Sequence, residues 1–501
     1  MKTPSQDITN LITTGVDGLD EVVGGGLPKN YVYLIQGDPG SGKTTMAMQF
    51  LLEGARLGEK TLYLTLSESV QELTEVARSH GWDLSGVELF EPPLAKNPLL
   101  PDDQNTLFHP AEIELAEAMK LLLDKIEEVK PQRIVLDSLS EIRLLAQTPL
   151  RYRRQVLAFK QYLTGADATV LLLDDRTYTD DIQMQSVPSG VIELFQEAPL
   201  YGTVRRKMRV VKIRGIRFRG GFHELNILTG GVKIYPRLIA AETRGDHEEL
   251  ETISSGVTDI DEMLGGGLHR RTSTLLAGAS GVGKSSLSMI YSVAAARRGE
   301  KVAIFAFDES ISTALERSRS LGIGLQDQIE KGNIHFQQVD PAELMPGEFA
   351  HHIRTMVDEQ DVRMVVIDSL NGYANSMTNV KFLTVQLHEL LSYLGQHGVT
   401  TILVSPHHGL FATAPVADTD VSYLADAVIL LRYFEVRGTV RKAISVVKKR
   451  SGPHETTIRE LLFGSDGLRV GPPLAHIHEV LSGSPVFDGE TTPGTGRDRD
   501  E

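Results

Sequence analysis

An internal repeat constrains the fold of this chain more than any other feature of its sequence. The segment TGVDGLDEVVGGGL, which begins at Thr14, returns as SGVTDIDEMLGGGL from Ser255, 241 residues later. The same offset relates Gly37 to Gly278, Lys43 to Lys284 and Glu68 to Glu309. A period of this length indicates two whole domains in tandem rather than a solenoid of small units. We therefore predict a first domain over residues 1–240, a second over 241–482 that opens with a polar linker at 242–251, and a disordered tail over 483–501.

The apolar pattern within each half predicts an α/β fold. Short apolar runs alternate with longer helical segments, which is typical of a mostly parallel sheet flanked by helices. The predicted strands are 32–35, 61–66, 133–136 and 169–173 in the first half, and 274–276, 302–307, 364–367 and 400–404 in the second.

Composition narrows the classes of function. The chain has 501 residues, of which 41% are hydrophobic and 23% are charged, as expected for a globular protein with more than one core. It has no cysteine and no apolar run of the roughly 18 residues that a membrane helix needs, so we expect a cytoplasmic protein without disulfides or membrane spans. The formal net charge of −15 repels a phosphate backbone, which makes nucleic acid a disfavoured partner.

Two glycine-rich segments fit the P-loop pattern for binding a nucleoside triphosphate. Each follows an apolar strand and opens a helical stretch, so backbone N–H groups and the helix N-terminus face the phosphates. Lys43 and Lys284 are expected to reach the β- and γ-phosphates of ATP, while the hydroxyls of Thr44 and Ser285 ligate Mg²⁺. The alternative is a glycine-rich turn with a solvated lysine. The predicted nucleotide contacts are Gly40, Ser41, Gly42, Lys43, Thr44 and Thr45 in the first copy, and Ser280, Gly281, Val282, Gly283, Lys284, Ser285 and Ser286 in the second.

Acidic residues follow the predicted strands at equivalent places in both copies. Asp137 and Asp368 each end a buried strand, where an aspartate can hold the magnesium through its water shell or, alternatively, cap the next helix. Glu68 and the pair Asp308-Glu309 end the strand after each P-loop helix. Cleavage of a γ-phosphate needs a carboxylate to orient or deprotonate the attacking group, so these are the candidate catalytic acids, with Asp308 also a candidate metal ligand. Alternatively, they are solvated acids in a turn.

The chain resembles the KaiC family, the circadian-clock ATPases of the RecA-like P-loop class. The resemblance covers the repeated Gly-Val and Gly-Gly-Gly opening, both P-loops, the strand-end acids, both Asp-Ser motifs and the closing KIRG and KKRS segments, from about residue 13 to 485. It implies two RecA-like domains in a homo-hexameric ring of two tiers, with ATP and Mg²⁺ bound between neighbouring subunits. It also implies that a neighbour supplies basic residues, Lys212 with Arg214 and Lys448 with Arg450, to each nucleotide. The alternative for these residues is a basic edge strand protected against aggregation.

The resemblance implies two further assignments, and this chain departs from the family pattern at two places. Ser79 and Trp82 match positions near the base or sugar of the nucleotide, although Trp82 fits a core position equally well. Where the family has two adjacent acids, the first domain has Ser67-Glu68, so its hydrolysis rests on Glu68. Where the family has an autophosphorylated Ser-Thr pair, this chain has Ser422 and Tyr423. Ser422 is therefore the candidate phosphoacceptor, with Asp308 or Glu309 as its base.

Three functions are consistent with these residues. The first is an ATPase with serine/threonine autokinase activity in its second domain, which signals its state to protein partners. The second is a DNA-dependent recombination or helicase-like motor, because four arginines follow the first Asp-Ser motif, namely Arg143, Arg151, Arg153 and Arg154. The third is a ring that binds ATP only as structural glue.

Overall fold

The computed structural model describes residues 10–93, 110–176, 185–239, 251–377, 382–406, 421–465, 467–475, 477–478 and 486–487. The chain divides into two compact units, Met1–Arg237 and Leu238–Glu501. The predicted linker and the predicted disordered tail lie almost wholly outside the described residues, so the domain limits at 240 and 482 stay predictions.

The first unit follows the element order that the repeat predicts. In chain order its elements are β1 (Leu11–Ile12), α1 (Leu19–Val22), β2 (Leu27–Pro28), β3 (Val32–Gly37), α2 (Lys43–Arg56), β4 (Thr61–Thr65), α3 (Val70–Ser79), β5 (Glu88–Phe90), α4 (Pro110–Val129), β6 (Arg133–Asp137), α5 (Leu139–Ala146), α6 (Pro149–Thr164), β7 (Thr169–Asp175), β8 (Gly190–Glu197), β9 (Arg205–Ile213), β10 (Phe222–Leu228) and β11 (Gly231–Tyr235).

The second unit repeats this order. Its elements are β12 (Thr252–Ile253), α7 (Thr258–Met263), β13 (Leu268–His269), β14 (Ser273–Gly278), α8 (Lys284–Arg297), β15 (Lys301–Ala306), α9 (Ile311–Ser320), α10 (Leu325–Glu330), β16 (Ile334–Gln338), α11 (Pro346–Gln360), β17 (Val362–Asp368), α12 (Leu370–Asn375), α13 (Leu383–Gln396), β18 (Thr400–Pro406), β19 (Ala427–Val436), β20 (Thr439–Lys449), β21 (Arg459–Gly464), β22 (Gly467–Pro473), β23 (Ile477–His478) and β24 (Val486–Phe487).

Each unit is built on one nine-stranded sheet with the same topology. The first runs β5-β4-β6-β7-β3-β8-β9-β10-β11, and the second runs β16-β15-β17-β18-β14-β19-β20-β21-β22. The first six strands of each order are parallel and the last three pair antiparallel. All eight predicted strands are confirmed, because parallel strands buried on both faces are near-continuous apolar runs. The fold is thus a tandem pair of RecA-like α/β domains.

Local sequence determines where the helices nearest the P-loops begin. Gly42 takes a left-handed φ of 102° and Gly283 one of 119°, which turns the chain from the loop into α2 and α8. Helix α3 begins with a capping box between Ser69 and Glu72, and α9 begins with the Ser310 hydroxyl accepting from the Thr313 backbone N–H. These starts position the carboxylates that immediately precede α3 and α9.

Apolar side chains fill both faces of each sheet. In the first unit, one core lies on the side of α2 and includes Phe50 and Tyr63, and the other lies on the side of α4 and α6. The second unit has the equivalent pair of cores. Within the described part of the chain, no helix is both long enough and apolar enough to cross a membrane.

Candidate active sites

The first P-loop folds around its own lysine. Lys43 Nζ lies 2.9 Å from the Gly37 carbonyl oxygen, 3.1 Å from that of Asp38 and 3.0 Å from Asp175 Oδ1 at the end of β7. A side chain at Gly37 would come within 2.5 Å of Ser41 Oγ, so the close turn requires glycine there. Ser41 Oγ is buried and has no hydrogen-bond partner within the described residues. The loop therefore holds a cation and an unused hydroxyl where phosphate oxygens bind in a P-loop.

Asp137, at the end of β6, is the centre of the first polar cluster. Its Oδ2 accepts hydrogen bonds from Tyr63 Oη at 2.6 Å and from Thr44 Oγ1 at 3.2 Å, and its Oδ1 lies 3.5 Å from Ser67 Oγ. Burial raises the pKa of Asp137, and the hydrogen bonds from Tyr63 and Thr44 oppose that shift. The predicted neighbours Thr44 and Asp137 are thus in direct contact.

Glu68 stands beside this cluster with a half-buried carboxylate. Its backbone is held by Thr65, whose hydroxyl accepts from the Glu68 N–H at 3.1 Å and donates to the Glu68 carbonyl at 2.5 Å. Its Oε2 atom is buried without a hydrogen-bond partner among the described residues. Burial first, and the negative charge of Asp137 second, raise the pKa of Glu68. A carboxylate in this state is suited to accept a proton.

The second site is an open cavity of about 400 Å³ at the carboxyl edge of β14, β15 and β17. Its wall contains the predicted loop and acidic residues together with six residues that were not predicted to line it, among them Thr313 and Arg317 of α9. The lining residues are Ser280, Gly281, Gly283, Lys284, Ser285, Ser286, Asp308, Glu309, Ser310, Thr313, Arg317, Asp368, Ser369, Val404 and Pro406.

Lys284 repeats the two carbonyl contacts of Lys43. Its Nζ donates to the Gly278 carbonyl at 2.8 Å and to the Ala279 carbonyl at 2.7 Å. Burial lowers the pKa of Lys284, and the charge of Asp368 opposes that shift. Burial raises the pKa of Asp368, and a hydrogen bond from Ser285 lowers it. The hydroxyl and carboxylate that were predicted to share a metal ion are therefore adjacent here too.

The two catalytic candidates of the second site have different partners. Asp308 is exposed, and its Oδ2 accepts from Ser369 Oγ at 2.5 Å. Glu309 forms an ion pair with Arg317 of α9, in which Nη1 donates to Oε1 and Nη2 lies 2.7 Å from Oε2. Both oxygens of Glu309 are thus occupied by one guanidinium.

Antiparallel strands β19 to β21 cover the second P-loop. Lys442 Nζ donates to the Gly281 carbonyl at 3.1 Å and lies 4.8 Å from the centre of the Phe463 ring. A side chain at Gly283 would come within 2.4 Å of the same ring. In the first unit, Arg206 of β9 likewise donates to the Gly40 carbonyl at 3.2 Å. These cationic contacts to the loops were not predicted, because nothing in the local sequence links β9 or β20 to a P-loop.

The basic pair of the first unit lies at the opposite end of the sheet from its own P-loop. Val191 of β8 pairs with Lys212, and the Arg214 N–H donates to the Ser189 carbonyl, while the Ser189 N–H donates to the carbonyl of Val32, the first residue of β3. Burial first, and then the charges of Arg214 and Lys160, lower the pKa of Lys212. The P-loop begins at Gly37, five residues beyond Val32 and three beyond Leu34, the residue of β3 that also pairs with Val191.

The basic pair of the second unit lies at the equivalent end and contacts the candidate phosphoacceptor segment. Lys448 Nζ donates to the Ser422 carbonyl at 3.1 Å and to the Ala425 carbonyl at 2.7 Å, and Arg450 Nη2 donates to the Tyr423 carbonyl at 2.5 Å. Asp426 binds the backbone N–H of Ser273, the first residue of β14, at 2.9 Å. Ser422 is half-buried at this amino edge, and the P-loop of the same chain follows the other end of β14.

The structure also places the remaining predicted residues. Ser79 ends α3, where its hydroxyl donates to the Val76 carbonyl, and Trp82 stacks on His80 against the first core. Thr45 and Ser286 are buried in the first turns of α2 and α8. Of the four arginines that favoured DNA binding, Arg143 is committed to the fold, because its Nη2 lies 2.5 Å from the fully buried Asp174 carboxylate.

A divalent metal fits the donor set that the structure brings together. Carboxylate and hydroxyl oxygens, which Mg²⁺ prefers, meet at Thr44 with Asp137 and at Ser285 with Asp368. Among the described residues, no group of three or more His, Cys, Asp or Glu side chains is arranged to hold an ion alone. A metal ion at these pairs would therefore share its coordination with phosphate and water oxygens, as in other P-loop sites.

Two P-loops, each at the carboxyl edge of a parallel sheet beside a strand-end aspartate, define a tandem P-loop nucleotide-binding ATPase of the RecA-like class. The sequence model of the KaiC ATPase family matches residues 12–239 and 253–475, and the chain belongs to this family. Family membership makes the protein an ATPase that binds nucleotide together with a metal ion.

Relatives match over nearly the whole chain. The circadian clock oscillator protein KaiC of Picosynechococcus sp. is 26% identical over 484 residues, which cover 95% of this chain and 92% of the relative. The circadian clock protein KaiC3 of Synechocystis sp. is 26% identical and covers 96% of this chain and 95% of its own length. The circadian clock oscillator protein KaiC of Synechococcus elongatus is 25% identical, with 94% and 91% covered.

Proposed function

We propose that this protein hydrolyses ATP with Mg²⁺ at both P-loops and that its second domain also transfers the γ-phosphate of ATP to Ser422 of a neighbouring copy. The active assembly is a homo-hexameric ring, and its nucleotide and phosphorylation states signal to protein partners in a clock-like or related regulatory system. The relatives are circadian clock proteins, which supports the regulatory part of this proposal.

The distance between each P-loop and the basic residues of the same domain is the main support for action between copies of the chain. Lys448, Arg450 and Ser422 lie at the amino edge of β14, and the phosphate loop lies beyond its carboxyl end. Ser273 at the amino edge and Gly278 at the start of the P-loop are five residues apart, which is about 17 Å at roughly 3.3 Å per residue. No side chain spans that distance, so these groups serve a nucleotide only if they face the P-loop of another copy. A ring of head-to-tail contacts provides that arrangement at every interface.

In the first domain, Glu68 is the proposed base for hydrolysis. Its unpartnered Oε2 accepts a proton from the attacking water as the water oxygen bonds to the γ-phosphorus. The bond from the γ-phosphorus to the bridging oxygen breaks, and ADP and inorganic phosphate leave. Lys43 and the loop N–H groups orient the phosphates, and Lys212 with Arg214 of a neighbour neutralise the charge that develops. Bound Mg²⁺, held through Thr44 and Asp137, supplies further positive charge to the phosphate oxygens.

In the second domain, the proposed acceptor is either water or the Ser422 hydroxyl. In the transfer reaction, Ser422 Oγ of one copy bonds to the γ-phosphorus held at Lys284 of another. The hydroxyl proton passes to a carboxylate of the Asp308-Glu309 pair, and ADP leaves. Lys448 donates to the Ser422 carbonyl and Arg450 donates to the Tyr423 carbonyl, which supports a segment that is held in place for this reaction.

The test is ATP turnover with γ-labelled ATP and Mg²⁺, in which free phosphate and protein-bound label are followed separately. We expect Lys43→Ala to remove the first-site release and Lys284→Ala to remove both the second-site release and the label on the protein. Ser422→Ala should abolish the label, whereas Tyr423→Phe, its matched control on the neighbouring hydroxyl, should retain it. Phosphate release without any protein label would overturn the kinase part and leave an ATPase.

A further inference from the structure

An ion pair at the carboxyl end of β7 distinguishes the first phosphate loop from the second. Asp175 ends β7 and pairs in register with Gly37, the first residue of the loop, so its carboxylate lies beside Lys43. The carboxylate Oδ1 is 3.0 Å from Lys43 Nζ, and the two side chains are 47% and 11% exposed, respectively. At the equivalent place of the second sheet, Gly278 pairs with Pro406, whose side chain cannot accept a proton or a hydrogen bond. The two loops therefore differ in the charge beside their lysines.

The contact occupies one of the three donors of the lysine ammonium. The N–H groups of Lys43 have three acceptors, namely the carbonyl oxygens of Gly37 and Asp38, at 2.9 and 3.1 Å, and the Asp175 carboxylate. A phosphate oxygen that binds Lys43 must replace one of these acceptors or share its donor. Asp175 is the acceptor that lies outside the loop and carries the same kind of charge as a phosphate oxygen. The carboxylate and a bound phosphate therefore compete for Lys43.

The fold holds Asp175 in this place. Its backbone N–H donates to Ser140 Oγ of α5 at 3.2 Å, and the same hydroxyl lies 3.3 Å from Asp175 Oδ2. The preceding residue, Asp174, is fully buried and contacts Arg143, with Nη2 2.5 Å from Oδ2. The two adjacent acids thus have separate cations, and the cation beside Asp175 is the lysine of the P-loop.

We propose that Asp175 is a positioning residue that competes with the nucleotide for Lys43, so that the first site binds ATP and ADP more weakly than its loop would otherwise allow. This inference rests on the proposed function, because it takes Lys43 as a group that binds phosphate. Its consequence is that the carboxylate replaces a departing phosphate on Lys43 and eases the release of ADP. Pro406 supplies no such competitor to Lys284.

The experiment uses the full-length protein with Lys284→Ala, so that the first site dominates nucleotide binding. Equilibrium dialysis with labelled ADP and Mg²⁺ measures the Kd, and dilution into unlabelled ADP measures the dissociation rate. We expect Asp175→Asn to lower the Kd by about three- to tenfold, a modest factor because one partner of the ion pair is half-exposed. The dissociation of ADP should slow as well. Asp124→Asn, the matched control, removes the same charge from the exposed side of α4 and should change neither constant.

Further variants decide whether the effect passes through Lys43. In a protein that also carries Lys43→Ala, Asp175→Asn should alter the Kd by less than about twofold, because the two residues act as a coupled pair. Asp175→Glu keeps the charge and should bind ADP as weakly as the parent. If Asp175→Asn does not fold, Pro406→Asp in a Lys43→Ala background places a competitor beside Lys284, and it should raise the Kd of the second site.

The outcomes separate this inference from the proposed function. A folded Asp175→Asn protein that binds ADP no more tightly than its parent would overturn the inference, and so would a gain that persists in full with Lys43→Ala. If Lys43→Ala itself binds ADP as tightly as its parent, the proposed function fails at this loop. Weaker binding in Lys43→Ala without a gain in Asp175→Asn would leave the proposed function standing and reject only the role of Asp175.

Discussion

Glu68 and Glu309 occupy equivalent positions of the repeat, yet one carboxylate has an unpartnered oxygen and the other is enclosed by a guanidinium. The difference arises from a single substitution on the following helix, where Val76 in one copy corresponds to Arg317 in the other. Desolvation of a carboxylate without a cationic partner favours its neutral form, which is the cause of the raised pKa of Glu68. At the scale of a residue, the duplicated sites have therefore diverged in charge.

Glu68→Gln should lower the turnover of the first site by about 10²- to 10⁴-fold, because it removes the proposed base. The measurement is phosphate release in a Lys284→Ala background, in which only the first site is expected to release phosphate. A folded Glu68→Gln protein that hydrolyses ATP at the rate of its parent would contradict this role. Glu75→Gln, an exposed change on the next helix, serves as the control.

The same variant should stabilise the first domain in the absence of nucleotide and metal, with a defined pH dependence. Because the pKa of Glu68 is raised from its ordinary value of 4.5, the folded state binds the proton more tightly than the unfolded state. The native protein is therefore more stable below that ordinary value and loses stability as pH rises through the raised pKa. Glu68→Gln should unfold at higher temperature near pH 7, and the difference should vanish on acidification. Fluorescence of Trp82, the single tryptophan, reports this unfolding from within the first core.

Helix α3 is the element that holds Glu68 in place, because its cap begins at the next residue. The Ser69 hydroxyl accepts from the Glu72 N–H at 3.2 Å, and the Glu72 carboxylate accepts from the Ser69 N–H at 2.7 Å. The second unit caps α9 with Ser310 in the same way but has no glutamate at the third position. The start of each helix thus positions the carboxylate that immediately precedes it.

Ser69→Ala should lower the free energy of unfolding of the first domain by about 1 kcal/mol, the usual cost of a lost N-cap. Urea denaturation followed by Trp82 fluorescence measures it, since Trp82 lies in the first core. Ser310→Ala is the matched control, because its helix belongs to the other unit and should leave the Trp82 transition unchanged. A Ser69→Ala midpoint equal to that of the parent would show that the cap does not stabilise α3.

At the scale of the whole molecule, the basic pair of each domain lies toward the amino edge of the sheet, whereas its P-loop follows the carboxyl end of the central strand. If the basic pairs act on the nucleotide, a single chain has no complete active site, because its own basic pairs do not reach its own P-loops. In the proposed ring, the basic pair of the next subunit contributes to each site, so activity requires the contact between two subunits.

Mixing two inactive proteins tests this interface. In a Lys284→Ala background, one subunit carries Lys43→Ala and the other carries Lys212→Ala/Arg214→Ala. Each should be nearly inactive alone, and random mixing in equal amounts should restore about a quarter of the parental turnover, because one in four interfaces joins an intact P-loop to an intact basic edge. Mixed assemblies that form without any recovery would exclude action across the interface.

Much of the fold and part of the site could be predicted from sequence. The eight predicted strands and both P-loops are where their patterns indicated, because a strand buried on both faces needs a continuous apolar run and a phosphate loop needs glycines within a few residues. The strands β8 to β11 and β19 to β22 were not predicted. Beyond β8 and β19, these strands lie at one side of each sheet with partly exposed faces, as the mixed burial of β9 and β10 shows, so their apolar pattern is weaker. In contrast, β8 and β19 begin with buried apolar runs that the sequence analysis missed.

The sequence by itself determined the duplication, the two nucleotide loops and the identity of the acids at the strand ends, since each is encoded by neighbouring residues. Only the tertiary structure decided which charges meet. Tyr63 reaches Asp137, and Lys43 reaches Asp175, across long stretches of chain, and Arg317 closes on Glu309 rather than on a phosphate loop. The physical reason is that Coulombic and hydrogen-bonding energies depend on distance and burial in space, and the packing of the sheets sets these, not the spacing along the chain.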